Sequence, residues 1–150
     1  MSKQIEILLV EDNEGDVVLT LEALQEAKVY NHVHVVRDGE EAIKFLKKQA
    51  PYQEAVTPDI ILLDINLPKM DGKEVLTEIK KDNRLKTIPV VILTTSEAEK
   101  DISYAYHHHA NCYITKPVDF SKFMEVVQSI KNFWISIVQL PKPETDDQRN

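Results

Sequence analysis

The chain has 150 residues, of which 43% are hydrophobic and 29% are charged, and its formal net charge is −7. These values are typical of one globular domain with a buried core. The acidic balance disfavours nucleic-acid binding, and no apolar run approaches the roughly 18 residues that a membrane span requires. A single cysteine, Cys112, excludes an internal disulfide. We therefore expect a cytoplasmic protein that binds neither nucleic acid nor membrane.

Five short apolar runs predict the strands of a sheet. In chain order they are Ile5–Val10, His32–Val36, Ile60–Ile65, Val90–Thr94 and Cys112–Thr115. Four of the runs are rich in Val, Ile and Leu and lack polar alternation. This pattern favours strands that are buried on both faces, as in a parallel sheet covered by helices.

Helical periodicity after each run predicts five helices. The apolar residues that mark them are, in chain order, Val17, Leu21 and Leu24; Ala42, Ile43, Phe45 and Leu46; Val75, Leu76 and Ile79; Ile102, Ala105 and Tyr106; and Phe123, Val127, Ile130 and Trp134. Gly39 and Gly72 stand at strand-to-helix junctions, where freedom of φ is useful. Because strand and helix alternate five times, we predict a doubly wound α/β fold.

Residues 3–135 are assigned to one domain and residues 136–150 to a C-terminal extension. Beyond Leu140 the sequence has proline and charge but no apolar anchor, which predicts a disordered tail. The extension is too short to form an output domain.

Acidic side chains stand at the ends of two predicted strands. Glu11 and Asp12 follow the first run, and Asp64 lies near the end of the third. If these strands are neighbours, as in the flavodoxin-like order, their ends lie about 4.8 Å apart. Such crowding calls for a cation, and oxygen ligands suit Mg²⁺. Alternatively, Glu11 and Asp12 are solvated turn residues that cap the first helix.

Two further polar residues are expected at the same edge of the sheet. Thr94 ends the fourth run, and Lys116 follows the fifth. Lysine supplies a point charge for a phosphate group, and threonine supplies a hydroxyl donor. Turn chemistry alone does not readily explain polar groups at the ends of four buried strands.

The segments that carry these residues resemble response-regulator receiver domains. They are LLVEDNEGD, VVRDGEEAI, PDIILLDINLPKMDGKEVL, IPVVILTTS and NCYITKPVD. The resemblance implies a flavodoxin-like, chemotaxis-receiver-like sheet of order 2-1-3-4-5 with helices on both faces. Within the family, the chain is most similar to stand-alone regulators of phytochrome-type sensor kinases. The features are the loop Ala50–Pro58, the segments NLPKMDG, LTTS and NCYITKP, and the pair Phe133-Trp134.

The resemblance also implies a role for each acidic residue. Asp64 would be the phosphoacceptor and would take its phosphoryl group from a partner histidine kinase. Asp12 would bind Mg²⁺ directly, Glu11 would do so chiefly through water, and the backbone carbonyl of Asn66 would be a further ligand. The only chemistry expected is phosphotransfer to Asp64 and its autodephosphorylation, so the protein would be a switch rather than an enzyme.

The remaining roles implied by the resemblance concern the switch. Lys116 would pair with the Asp64 carboxylate and later with the phosphoryl group. Thr94 would donate its hydroxyl to that group, and Tyr113 would turn inward as Thr94 moves. The Lys116–Pro117 peptide bond is expected to be cis.

Two other functions fit parts of this pattern. Haloacid-dehalogenase-type phosphatases also place an aspartyl nucleophile at a strand end with Mg²⁺, but they need a second Asp two positions later, where this chain has Asn66. A phosphorylation-independent adaptor would keep only the receiver shape, yet all of the site residues are present.

Histidines and C-terminal aromatic residues permit further interpretations. His107, His108 and His109 are consecutive and cannot converge on one ion from a helix. His32 and His34 share one face of a strand and could chelate weakly, although a solvated face is preferred. The apolar residues that exceed the needs of one helix are Phe120, Phe123, Ile130, Phe133, Trp134, Ile137, Val138 and Leu140. They either fold back on the domain or, as we expect, form a homodimer through the last helix.

Overall fold

The computed structural model describes residues 4–26, 31–95 and 112–129. Five strands form one parallel sheet: β1 (Ile5–Val10), β2 (Asn31–Val36), β3 (Ile60–Asp64), β4 (Val90–Thr94) and β5 (Cys112–Thr115). Their order is β2-β1-β3-β4-β5, with every neighbouring pair parallel. The predicted doubly wound sheet is therefore confirmed, and every strand boundary lies within one residue of its predicted position.

Four helices are described: α1 (Glu14–Glu26), α2 (Gly39–Leu46), α3 (Gly72–Lys81) and α4 (Phe120–Ser129). None of these helices is both long and apolar enough to cross a membrane. The helical pattern at residues 102–106, the histidines at 107–109 and the aromatic residues beyond 129 lie outside the described residues. The predicted cis peptide bond between Lys116 and Pro117 is present.

The sheet separates two hydrophobic cores because successive side chains of a strand point to opposite faces. On one face α1 and α4 pack against the strands. The large buried side chains of this core include Ile5, Ile7, Leu9, Leu24, Leu62 and Phe123. On the other face α2 and α3 cover a second core, which includes Leu8, Phe45, Ile61, Leu63, Leu76 and Ile79. Double burial explains the apolar character of the central strands.

The buried stripe of α1 differs from the predicted one. Val17 and Leu24 are buried as expected, but Leu21 is 37% exposed and Thr20 is buried in its place. Residues 17, 20 and 24 follow the spacing of one helical face, and Leu21 lies about 100° further round the helix. The prediction for Leu21 was therefore wrong, because the apolar pattern alone selected Leu over Thr.

The two junction glycines are required for space rather than for freedom of φ. Neither glycine has a positive φ, so the reason predicted from the sequence was wrong. A Cβ atom on Gly39 would lie 1.8 Å from the carbonyl oxygen of Met70, and one on Gly72 would lie 2.4 Å from the carbonyl oxygen of Asp64. Gly72 therefore allows α3 to begin directly against the backbone at the end of β3.

We predict that Gly72→Ala destabilises the fold by about 1–3 kcal/mol, because the added methyl group meets backbone atoms that cannot move independently. Urea unfolding measures this change. Gly15→Ala is the control, since a Cβ atom there meets only the Asn13 side chain at 3.3 Å. That variant should be as stable as the wild type or more stable by less than about 1 kcal/mol. Equal midpoints for Gly72→Ala and the wild type would contradict the steric argument.

Candidate functional site

The polar residues that end the strands lie close together at the carboxyl ends of the strands. We call this side of the sheet its carboxyl edge. Asp64 is the last residue of β3 and pairs with Leu93 of β4. Glu11 directly follows β1, and Lys116 directly follows β5. The Lys116 amide donates a hydrogen bond to the carbonyl oxygen of Thr94, the last residue of β4. Because the strands are parallel, all four residues lie at one edge, as the sequence predicted.

The ammonium group of Lys116 lies among three carboxylates. Its Nζ is 2.8 Å from Glu11 Oε1, 3.1 Å from Asp16 Oδ2 and 3.2 Å from Asp64 Oδ2. Glu11 and Asp64 are buried, with 0% and 3% of their surfaces exposed. A carboxylate buried without a partner is costly, and this lysine is the nearby cation that stabilises both.

Burial and like charge act together on Glu11. Burial raises the pKa of Glu11 to about 7, the neighbouring Asp64 adds to the rise, and Lys116 opposes it. Burial alone would lower the pKa of Lys116, but its attraction to Glu11, Asp64 and Asp16 outweighs burial and raises the pKa. Lys116 therefore stays cationic at neutral pH, while Glu11 is held close to protonation.

The acidic groups fit a hard divalent cation. One carboxylate oxygen from each of Glu11, Asp12 and Asp64 lies within 4.8 Å of the others. Oxygen Oε1 of Glu11 is buried and accepts no hydrogen bond from the described residues, although Lys116 Nζ is close to it. Asp12 is exposed and faces solvent. Mg²⁺ prefers such a set of oxygen ligands and keeps several waters, so an exposed side of the site suits it.

The first helix is capped by Asn13 and not by the acidic residues before it. The Asn13 side chain accepts a hydrogen bond from the Asp16 amide at 2.9 Å, and its carbonyl oxygen accepts one from the Val17 amide. The Asn13 amide in turn donates to Glu11 Oε2 at 3.2 Å. The alternative that Glu11 and Asp12 cap α1 is therefore wrong, because Asn13 performs that role.

Asp64 is oriented by the turn that follows it. The Asn66 amide donates a hydrogen bond to Asp64 Oδ1 at 3.0 Å, while Oδ2 faces Lys116. The Gly72 amide donates to the carbonyl oxygen of Ile65, which ties this turn to the start of α3. The Asp64 carboxylate is thus held in one orientation before any ligand binds. The role of the Asn66 carbonyl stays a prediction.

Thr94 and Tyr113 lie on the same side of the sheet. Tyr113 pairs with Ile92 and packs against the core beneath α2 and α3. Thr94 is two residues beyond Ile92, so strand alternation gives it the same face, and it is 2% exposed. Thr94 and Tyr113 therefore lie on one face of two paired strands.

Asp16 is a site residue that the sequence reasoning missed. It lies in the first turn of α1 and accepts a hydrogen bond from Lys116 Nζ at 3.1 Å. Acidic residues are common in first turns because they suit the helix dipole, so its presence there carried no special signal. Asp16 is five residues after Glu11, on a helix that begins near the carboxyl end of β1. This position could have suggested its contact with Lys116.

The chain is similar in sequence to proteins of known family. The profile of the response regulator receiver domain matches residues 7–128. The response regulator Rcp1 of Synechocystis sp. is 46% identical over 135 residues, which cover 90% of this chain and 92% of Rcp1.

Two solved structures extend the comparison. The phosphorylated cyanobacterial phytochrome response regulator RcpA is 50% identical, with a TM-score of 0.75 over 89% of this chain and 96% of RcpA. The Mn²⁺-bound form of Rcp1 is 45% identical, with a TM-score of 0.74 over 92% of this chain and 99% of that one.

We predict that Lys116→Met lowers the free energy of unfolding by about 3–5 kcal/mol in EDTA at neutral pH, because it leaves buried carboxylates without their cation. The loss should shrink at acid pH. In the wild type the folded-state pKa of Glu11 is raised from 4.5 to about 7 although Lys116 opposes the rise, so loss of Lys116 raises this pKa further. The folded variant therefore gains more stability from binding this proton than the folded wild type does as the pH falls.

Thermal and urea unfolding at several pH values check this prediction. The control is Lys122→Met, which removes a lysine whose Nζ donates to the backbone carbonyls of Thr115 and Pro117 rather than to carboxylates. Added Mg²⁺ should raise the midpoint of Lys116→Met more than that of the wild type. A deficit that does not change with pH would show that Lys116 does not stabilise buried negative charge.

Proposed function

We propose a function for this chain from one premise: it belongs to the family of response regulator receiver domains. The chain is a response regulator of two-component signalling, and its partner is a histidine kinase. Its role follows from the family, whereas the chemistry of individual residues is inferred from the geometry of the acidic site, which consists of Glu11, Asp12, Asp64 and Lys116. The observation that carries the inference is the contact of one buried lysine with Asp64 and two further carboxylates.

Asp64 is proposed as the phosphoacceptor. An oxygen of its carboxylate attacks the phosphorus of a phosphohistidine, the P–N bond breaks, and an acyl phosphate forms on Asp64 while the histidine regains a proton. The reaction needs a positioned nucleophile and positive charge beside the phosphoryl oxygens. The Asn66 amide holds one oxygen of Asp64, and Lys116 supplies a fixed positive charge 3.2 Å from the other.

We infer that Mg²⁺ is the cation of this site and that Glu11, Asp12, Asp64 and the Asn66 carbonyl hold it. When bound, the ion neutralises charge on the phosphoryl oxygens. The burial of Glu11 beside Asp64, with one lysine to offset both charges, supports this proposal, as does the purely oxygen character of the donors. Lys116 and the ion would share the task of offsetting the carboxylates.

The switch is proposed to run from Thr94 to Tyr113. A phosphoryl group adds roughly −1.5 to −2 charge and strong acceptor oxygens, which attract the Thr94 hydroxyl and the Lys116 ammonium. Because Thr94 and Tyr113 share a face of the sheet, movement of the threonine would allow the ring to repack. The surface that contains β5 and the neighbouring helices would then change.

The partner kinase is proposed to be of the phytochrome type. This proposal is supported by the similarity to RcpA and Rcp1, of which RcpA is described as a cyanobacterial phytochrome response regulator. We also propose that the chain acts in the cytoplasm and that residues 3–135 form its receiver domain. The homodimer through the last helix and the C-terminal aromatic residues stays a prediction. Phe123 of that set is fully buried in the core and is not available to a partner, and residues 130–140 lie outside the described part of the chain.

Neither rival function gains support. A haloacid-dehalogenase-type hydrolase needs a second acid two residues after its nucleophile, and that position is Asn66, whose amide contacts Asp64. An adaptor that does not depend on phosphorylation has no need of a buried lysine and carboxylate cluster. We therefore propose that chemistry at the site is limited to phosphorylation of Asp64 and loss of that group.

We predict that the wild type, incubated with acetyl phosphate and Mg²⁺, gains the mass of one phosphoryl group and that Asp64→Asn gains none. An amide is a poor nucleophile, so the substitution removes the acceptor and keeps the shape of the side chain. Intact-mass spectrometry measures the gain. Asp82→Asn, at the end of α3, is the matched control and should be phosphorylated like the wild type. Phosphorylation of Asp64→Asn would refute the assignment.

The surface that meets the kinase is proposed to include α1. Large apolar side chains that are exposed within the described residues are Val18, Leu19, Leu21 and Val56. Three of these four belong to α1, which begins two residues after Asp12 and carries Asp16 against Lys116. An exposed apolar group beside the phosphoacceptor is suited to docking the protein that delivers the phosphoryl group.

We predict that the double variant Val18→Ser/Leu21→Ser slows phosphotransfer from the kinase by at least about tenfold, because truncation of buried apolar contacts weakens an interface. Phosphorylation by acetyl phosphate should not change. Val56→Ser, at the opposite edge of the sheet and 41% exposed, is the control and should behave as the wild type with both donors. An equal loss with acetyl phosphate would indicate damage to the site instead of to docking.

A further inference from the structure

A second cluster of residues that commonly bind metal ions lies near the amino-terminal ends of β1 and β2, which we call the amino edge of the sheet. Glu6 is in β1 and pairs directly with His32 of β2. His34 is two residues further along β2, so its side chain is on the same face as that of His32. The sheet register therefore gathers two imidazoles and one carboxylate, which we call the amino-edge cluster.

The side chains of the amino-edge cluster converge on one oxygen. Glu6 Oε1 is 2.8 Å from His34 Nε2 and 3.2 Å from His32 Nδ1. One donor atom from each residue lies within 4.8 Å of the other two. The His32 side chain is 53% exposed and the His34 side chain is 23% exposed, so this face of the strand is partly solvated.

Neighbouring residues fix the positions of these donors. The Glu6 amide donates to Asp59 Oδ2 at 2.8 Å, and the Glu6 carbonyl accepts from the Asp59 amide at 2.7 Å. The His34 ring packs against Phe45 with centroids 5.4 Å apart, and Phe45 packs in the same way against Tyr52. The half-buried members of the cluster, Glu6 and His34, are thus held by paired strands and by an aromatic stack.

We propose that Glu6, His32 and His34 form a binding site for Zn²⁺. Zinc accepts two imidazole nitrogens and one carboxylate oxygen at about 2.0–2.2 Å and leaves a fourth position for water. Ligands of a tetrahedral ion are then separated by roughly 3.3 Å. The two separations between Glu6 and the imidazoles are 2.8 and 3.2 Å and need to widen by at most about half an ångström, and the donor atoms of the two imidazoles lie within 4.8 Å of each other. The exposed side of His32 leaves room for the water, and the Glu6 carboxylate partly neutralises the ion.

This site is distinct from the acidic site in position and in chemistry. Glu6 and Glu11 are five positions apart along an extended strand, which places the two clusters roughly 16 Å apart at opposite ends of the strands. Imidazole nitrogens favour zinc and other late transition ions, whereas the oxygen donors of the acidic site favour Mg²⁺. The consequence of zinc binding would be mechanical: the ion would join the edge strand β2 to β1.

Calorimetric titration of the untagged full chain with ZnCl₂, in excess Mg²⁺ to occupy the acidic site, tests the proposal. We expect one zinc ion per chain and a shift of the imidazole ¹H–¹⁵N signals of His32 and His34. His34→Gln and Glu6→Gln should each weaken zinc binding by at least about tenfold. Because His34 packs in the protein, His32→Gln at the exposed position provides a second variant that should fold normally and show the same loss.

Two controls separate this site from other donors. A variant in which His107, His108 and His109 are replaced by Gln should bind zinc like the wild type, and so should Asp64→Asn. Zinc binding that survives His32→Gln and His34→Gln, or that disappears in either control, would overturn the proposal. The same holds if no imidazole signal of the cluster moves at saturating zinc, in which case the three residues form a hydrogen-bonded group only.

Discussion

The acidic site depends on one interaction, the attraction between the Lys116 ammonium group and three carboxylates. Glu11 and Asp64 are almost fully buried, and two negative charges in that position repel each other as well as losing water. Lys116 lies within 3.2 Å of both and also of Asp16, which offsets the cost without removing it. One ammonium group faces three carboxylates, so an excess of negative charge remains, and burial together with the neighbouring Asp64 keeps the pKa of Glu11 raised. A site with excess negative charge gains stability from an added cation, so its affinity for a divalent ion follows from this imbalance.

The fold makes that imbalance possible because a parallel sheet collects the ends of its strands. Glu11, Asp64, Thr94 and Lys116 are distant in sequence, yet each ends or follows a strand, and parallel pairing aligns these ends. The two cores hold the strands from both faces, so the polar groups cannot retreat into solvent by bending the backbone. Gly72 permits a close approach at the site itself, since α3 begins in contact with the backbone of Asp64.

The strands could be predicted from the sequence because a strand buried on both faces leaves an unbroken apolar run. The site residues could be predicted because they end these runs or directly follow them. The failures share a different cause. Leu21, Gly39 and Gly72 were interpreted from intrinsic properties, whereas packing against neighbours determines their roles. Asp16 was missed for a similar reason: its contact with Lys116 spans 100 residues and depends on how α1 leaves the sheet. Local patterns carry little information about such contacts.

Strand β1 connects these observations, because it lies between β2 and β3 and its register is fixed on both sides. That register places Glu6 beside His32 at one end and Glu11 beside the end of β3 at the other. A slip of one residue would turn every β1 side chain to the opposite face and expose its apolar residues to the wrong core. The hydrophobic side chains of β1 therefore determine where both carboxylates stand. The position of Glu11 in the acidic site therefore depends on the packing of the six residues of β1 that precede it.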